Sequence, residues 1–240
     1  MASFPIKIFY DGTNIDKYGT NPHVVGFTTN TSFMVAGQEL DYPAFYQKHA
    51  QTIGDRPISM QIFRDEDDQM LEDAMKVASY GDNVYVKVPI EKTGGRSNLG
   101  VIQKLLRDRI KVNVTAIFTV RQLLPLYRML HEELTHQGVE APGVVVSIFA
   151  GRISDTCVDA FDRIKFACTL FKELPTVEIL WAGCKEVLSI QHAVDSGCHI
   201  ITIPDSIMDR LNRAYKDLDQ FSLETIQSFQ KDALTAGIVL

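Results

Sequence analysis

Lys87 lies in the middle of an apolar, strand-like run, Val84-Tyr85-Val86-Lys87-Val88-Pro89-Ile90. A strand lysine most often faces solvent. If it is buried instead, loss of water favours the neutral amine, which lowers the pKa and makes the nitrogen a nucleophile. A neutral lysine amine attacks a carbonyl carbon and forms a Schiff base. Which of the two Lys87 is depends on the company it keeps.

That company stands at the ends of other apolar runs. Asp11 closes the first run, and Thr28-Thr29-Asn30 follows the second. Gln61 is in the third, Asn113 and Thr115 are in the fifth, and Ser147, Phe149 and then Arg152 come with the sixth. Lys185 follows the seventh. A carboxylate, an amine, hydroxyls and amides suit carbonyl chemistry on a polyol, with two cations left for a phosphate. Each also has a plainer use. Asp11 before Gly12 can be a turn residue. Thr28 and Asn30 can cap a helix. Gln61 can be paired inside or sit at a rim. Arg152 and Lys185 can be surface cations.

Positioning these residues on one face requires a particular architecture. β-rich runs cover residues 6–10, 24–27, 57–62, 84–89, 110–115, 144–149, 177–182 and 199–203. Helical patterns lie between them at 40–53, 66–79, 98–108, 119–137, 156–173, 184–195 and 205–214. Near-continuous apolar runs such as Val144-Val145-Val146-Ser147-Ile148-Phe149 suit parallel strands buried on both faces. Eight β/α units in 240 residues predict an α/β fold, a single (β/α)8 TIM barrel over residues 1–240 with an extra C-terminal helix at 221–235. In such a barrel the C-terminal strand ends form the active face. A doubly wound open sheet is the alternative, but Tyr10-Asp11-Gly12-Thr13-Asn14 does not fit its Gly-rich phosphate loop. The stretch 91–100, with Gly94-Gly95, reads as a mobile loop on the active face or a flexible connection.

Composition narrows the function further. The chain is 45% hydrophobic and 22% charged, an ordinary globular balance with enough apolar residues for one large core. Net charge is −6 with no basic stripe, which argues against a nucleic-acid partner. No run approaches 18 uncharged apolar residues, so no membrane span is expected. The first residues lack the form of a signal peptide. Cys157, Cys168, Cys184 and Cys198 form no C-x-x-C pair, and a cytoplasmic chain with free thiols is expected. The six histidines, at 23, 49, 131, 136, 192 and 199, form no metal-like pair with a nearby carboxylate. Neither metal nor cofactor is expected.

Four segments carry a family resemblance, in order along the chain. Gly26-Phe27-Thr28-Thr29-Asn30-Thr31-Ser32 resembles G-V-T-T-N-P-S, and Val84-Tyr85-Val86-Lys87-Val88-Pro89 resembles V-V-V-K-V-P. Asn113-Val114-Thr115-Ala116-Ile117-Phe118 resembles N-V-T-L-I-F, and Phe149-Ala150-Gly151-Arg152-Ile153-Ser154-Asp155 resembles F-V-G-R-I-x-D. With weaker echoes at Phe9-Tyr10-Asp11 and Ile201-Thr202-Ile203-Pro204, the chain is similar to the transaldolase and fructose-6-phosphate aldolase family, in its compact branch, over residues 6–204.

The resemblance implies a class I aldolase mechanism on sugar phosphates without a metal. Lys87 forms the imine, Asp11 transfers protons, and Gln61 with Thr115 holds a water. Thr28, Asn30, Asn113 and Ser147 bind substrate hydroxyls beside Phe149, and Arg152 and Lys185 hold the phosphate. It also implies a homo-oligomer, with the last helix on a neighbouring copy. Position 61 is Gln as in the aldolases, whereas position 149 is Phe as in the transaldolases. Gly183 stands where the family has a serine, and Trp181 is bulky where the family is small, which predicts a reshaped site. The balance favours a transaldolase. Aldolase-type cleavage or condensation, or a non-catalytic binding protein on the same barrel, are the other readings.

Overall fold

The computed structural model describes residues 4–138 and 141–239. Eight strands close in chain order: β1 (Lys7–Asp11), β2 (Val24–Thr28), β3 (Ile58–Gln61), β4 (Val84–Pro89), β5 (Val112–Ile117), β6 (Val144–Ile148), β7 (Val177–Trp181) and β8 (Ile200–Ile203). Every pairing is parallel, and β8 lies on β1 to complete the barrel. The chain is therefore a (β/α)8 barrel, as its pattern of runs predicts.

The helices are α1 (Ile15–Tyr18), α2 (Thr31–Ala36), α3 (Tyr42–Ile53), α4 (Asp67–Ala78), α5 (Leu99–Arg107) and α6 (Val120–Gln137), followed by α7 (Ala150–Ser154), α8 (Phe161–Leu170), α9 (Leu188–Asp195), α10 (Asp205–Met208) and α11 (Leu218–Ala236). Local signals start several of them. Asp41 accepts from the Ala44 N–H ahead of α3, and Thr119 with Gln122 makes a capping box for α6.

Side chains alternate between two cores, as strand geometry requires. Outward residues such as Val86, Val88, Val112, Val114 and Val146 are fully buried against the helices. Each is worth roughly 1.5–3 kcal/mol of burial. The inward set forms a separate, small apolar cluster of Phe9, Val145, Leu180, Ala182 and Ile200, flanked by Tyr85 and Phe149. Gly26 makes room for it, since a Cβ there would lie 2.5 Å from the Phe9 ring. A barrel filled only for stability stacks branched apolar side chains in layers. Here much of the interior is polar: Asp11, Thr28, Ser59, Lys87, Asn113, Thr115, Ser147 and Thr202 are all buried.

Four local expectations are corrected. The helix predicted over 156–173 shortens to α8, because Thr156 and Cys157 lie in the turn after α7, where Cys157 takes a left-handed φ of 61°. The helix predicted over 205–214 is α10 and a 3-10 turn, Leu211–Arg213. Three short helices, α1, α2 and α7, arise where no helix was expected. The Gly-rich stretch after β4 is a pinned hairpin. Glu91 bridges Ser97, Asp65 accepts from both the N–H and the hydroxyl of Thr93, and Lys92 pairs with Asp67.

Candidate active site

Barrel register brings the polar interior to the C-terminal ends of the strands. Lys87 pairs in register with Gln61 on one side and Asn113 on the other, and Asp11 pairs with Thr28. A cavity of about 360 Å³ opens here. Asp11, Thr28, Asn30, Gln61, Lys87, Ser147, Phe149 and Arg152 all line it. Eight of the eleven residues proposed from sequence thus share one cavity, although they come from five strands and the segments that follow them.

Lys87 is 5% exposed, so the solvent-facing alternative does not hold. Its Nζ donates to the Thr29 carbonyl at 3.1 Å. Burial pushes the amine below the ordinary lysine range, and the nearby Asp11 carboxylate only partly restores it. Asp11 is the mirror image. Burial raises its pKa, while Lys87 and the Thr28 hydroxyl pull it back. Thr28 Oγ1 donates to Asp11 Oδ1 at 2.7 Å and lies 2.5 Å from Thr202 Oγ1. A poised amine and a poised carboxyl in one polar cavity can perform nucleophilic attack and proton transfer on a carbonyl compound.

Three predicted residues lie off the cavity lining. Asn113 is buried beneath it, donating to Ser59 Oγ at 2.9 Å and accepting from Ser147 Oγ at 2.7 Å. Thr115 is 1% exposed, and its hydroxyl has no hydrogen-bond partner among the described residues. Lys185 pairs with Asp155 at 3.2 Å on the exposed rim. Asn30 does both of its candidate jobs: it caps α2 through the Phe33 N–H and lines the cavity. Arg152 is exposed at the mouth, its guanidinium 5.6 Å from the centre of the Phe149 ring.

The expected effect of Trp181 is overturned. Period-two geometry turns it outward, where it is buried in the strand–helix core 6.4 Å from the His192 ring. Its neighbours Leu180 and Ala182 line the cavity instead. Gly183 also lines the cavity at a φ of +74°. Its carbonyl sits against Gly151, where any Cβ would collide with it, and the Gly151 N–H donates to Ala182 O at 3.2 Å. This contact holds α7, and with it Arg152, against the end of β7. Gly151→Ala should therefore cost about 1–3 kcal/mol, read calorimetrically as a lower Tm.

Sequence reasoning gave no site role of their own to Thr202, Ser59 and Thr29, or to the cavity-lining start of α2 at Thr31, Ser32 and Phe33. Thr202 and Ser59 carry a usable signal: each is the lone hydroxyl at an inward position of an apolar strand. Among the described residues, no three His, Cys, Asp or Glu side chains converge as metal ligands. No helix among them is long and apolar enough to cross a membrane.

Comparison with known proteins agrees with this geometry. The barrel superimposes with a TM-score of 0.52 on a Toxoplasma gondii protein of the orotidine-monophosphate-decarboxylase type, at 14% identity, covering 94% of this chain and 85% of that one. This likeness concerns the fold alone. A Thermoanaerobacter protein named "Probable transaldolase" is 28% identical, over 97% of this chain and 99% of its own length. A Thermoplasma volcanium protein of the same name is 30% identical, over 86% and 87%. A Listeria monocytogenes "Probable transaldolase 2" is 32% identical, over 68% of each. The family model described as transaldolase/fructose-6-phosphate aldolase matches residues 8–239, and the chain belongs to that family.

Proposed function

We propose that this protein is a transaldolase that moves a dihydroxyacetone unit between sugar phosphates through a Schiff base on Lys87. The observation that carries the reading is a buried lysine of lowered pKa facing a polar cavity that it shares with Asp11. The neutral amine adds to the C2 carbonyl of a ketose phosphate, and the resulting carbinolamine takes up a proton from the site water and loses water to form an iminium. The Asp11 carboxylate takes the proton of the C4 hydroxyl. The C3–C4 bond breaks, its electrons pass into the iminium, and an enamine remains as an aldehyde leaves. C3 of the enamine then attacks an acceptor aldehyde, and Asp11 returns its proton to the new alkoxide. Hydrolysis frees the product and the amine.

The other side chains follow from position. Gln61 and the Thr115 hydroxyl, which has no partner among the described residues, hold the water used in imine formation and hydrolysis. Thr28, Asn30 and Ser147 meet substrate hydroxyls, while Asn113 holds Ser147 from below. Arg152 receives the phosphate at the mouth, with Lys185 farther out on the rim. Phe149 has no hydroxyl to place a protonating water, which leaves the enamine waiting for an aldehyde. Gln61 favours a second reading, cleavage and condensation without transfer, because an amide cannot itself exchange a proton. The exposed Leu223, Ile226, Phe229 and Leu234 on α11, a helix with no buried residue, support a homo-oligomer.

Borohydride with fructose 6-phosphate should trap a three- or six-carbon adduct on Lys87, located by peptide mass spectrometry. With erythrose 4-phosphate added, sedoheptulose 7-phosphate should form much faster than free dihydroxyacetone. An adduct elsewhere, or none, removes the Schiff-base reading; the reverse ordering of products favours the aldolase. Phe149→Tyr should raise the share of free dihydroxyacetone several-fold, measured as its ratio to transferred product.

A further inference from the structure

We propose that Thr202 is a positioning residue for Asp11, acting through Thr28 as a hydroxyl chain that reverses direction when Asp11 changes protonation state. The inference rests on the reading of Asp11 as the proton-transfer group. Its physical basis is barrel closure. β2 and β8 flank β1 on opposite sides, so Thr28 and Thr202 reach the end of β1 from both directions. Their hydroxyls are 2.5 Å apart, and Thr28 Oγ1 is 2.7 Å from Asp11 Oδ1. Thr28 and Thr202 are 1% and 2% exposed, so bulk water does not compete for these contacts.

Each hydroxyl has a single proton, which dictates the order of donors. An ionised Asp11 can only accept, so Thr28 spends its proton on the carboxylate. The Thr28–Thr202 contact must then be donated by Thr202. The chain runs from Thr202 to Thr28 to Asp11, and each bond polarises the next. When Asp11 takes a proton, its O–H can donate to Thr28, and Thr28 turns its own proton to Thr202. Nothing is lost or gained in this reversal: the added proton stays on Asp11, and the hydroxyls only rotate. The carboxyl thus keeps a partner in both states of the cycle and stays oriented without a rearrangement of the barrel. With Val in place of Thr202, Thr28 is left without its donor. Its bond to the carboxylate weakens, and burial raises Asp11 further.

The test compares Thr202→Val, close in shape, with Thr202→Ser, which keeps the hydroxyl. Thr202→Val should lower kcat about tenfold, the upper end of the worth of one neutral hydrogen bond. KM should change less than about twofold, and borohydride trapping on Lys87 should persist. The acid limb of kcat/KM should move to higher pH. Thr202→Ser should restore both rate and profile. Independently of turnover, the Asp11 carboxyl, followed by 13C NMR of aspartate-labelled protein, should titrate at higher pH in Thr202→Val than in wild type. An unmoved Asp11 titration, a serine variant as impaired as the valine one, or a rise in KM at unchanged kcat would each overturn the chain. Failure to trap an adduct in wild type is a separate result: it removes the Schiff-base chemistry, while the titration still decides the hydrogen-bond chain.

Discussion

Lys87→Met is expected to abolish turnover, by a factor on the order of 10⁴ or more, while making the protein more heat-stable. The first effect follows from the loss of the only group proposed to bond covalently to substrate, and removal of a nucleophile has effects of that size. The second follows from burial. Lys87 is almost fully enclosed, with one carbonyl as its hydrogen-bond partner, and its amine is held below the lysine range because water has been stripped from it. In the unfolded chain the same amine binds its proton up to about pH 10.4. Between its folded pKa and that value the unfolded state binds more protons than the native state. Wild-type stability should therefore rise with pH through this window. Methionine fills a similar volume without an ammonium to desolvate, so the variant should have the higher Tm at neutral pH and lack that rise. Calorimetry as a function of pH reads both. A variant that is inactive and also less stable would place Lys87 among the supports of the barrel rather than in its chemistry.

Asp11→Asn should separate the two halves of the reaction. Loss of a general acid–base group costs about 10²–10⁴-fold, and it should fall on C–C bond cleavage and formation. Imine formation on Lys87 should survive and be visible by borohydride trapping. Asp11 raises the Lys87 pKa by its negative charge, so the uncharged amide should let that pKa fall further. The pH at which trapping reaches half its plateau should accordingly move down. This shift reports the electrostatic contact directly, because a purely steric role for Asp11 would leave it unchanged. An upward shift, or loss of trapping at every pH, would contradict the assignment.

Periodicity is what the amino-acid sequence carries most legibly. Eight apolar runs separated by helical patterns specify a (β/α)8 barrel, because parallel strands need long crossovers and bury both faces. Lys87, Asp11, Asn30, Gln61, Ser147 and Arg152 are legible as a site because each is a polar residue in or just after an apolar run, and because the barrel collects strand ends on one face. Short elements are less legible. α1, α2 and α7 are four to six residues long, too short for a 3.6-residue period to register.

Direction and partnership are decided by tertiary structure alone. A strand places neighbouring side chains on opposite faces, so Trp181 goes to the helix layer and Leu180 to the cavity, a choice the residue types could not make. Asn113 becomes a support and Lys185 a rim ion pair because Ser59, Ser147 and Asp155, distant in the chain, arrive beside them. The question posed by Lys87 is whether a lysine amid apolar residues faces water or the interior. Its residue type leaves that open; the register of β4 between β3 and β5 turns it inward, and closure of β8 on β1 sets the Thr28–Thr202 pair beside Asp11. Sequence determines which side chains are available at the strand ends. Only the closed barrel determines which of them lose water together, and it is that shared desolvation that lowers the pKa of Lys87 and raises that of Asp11.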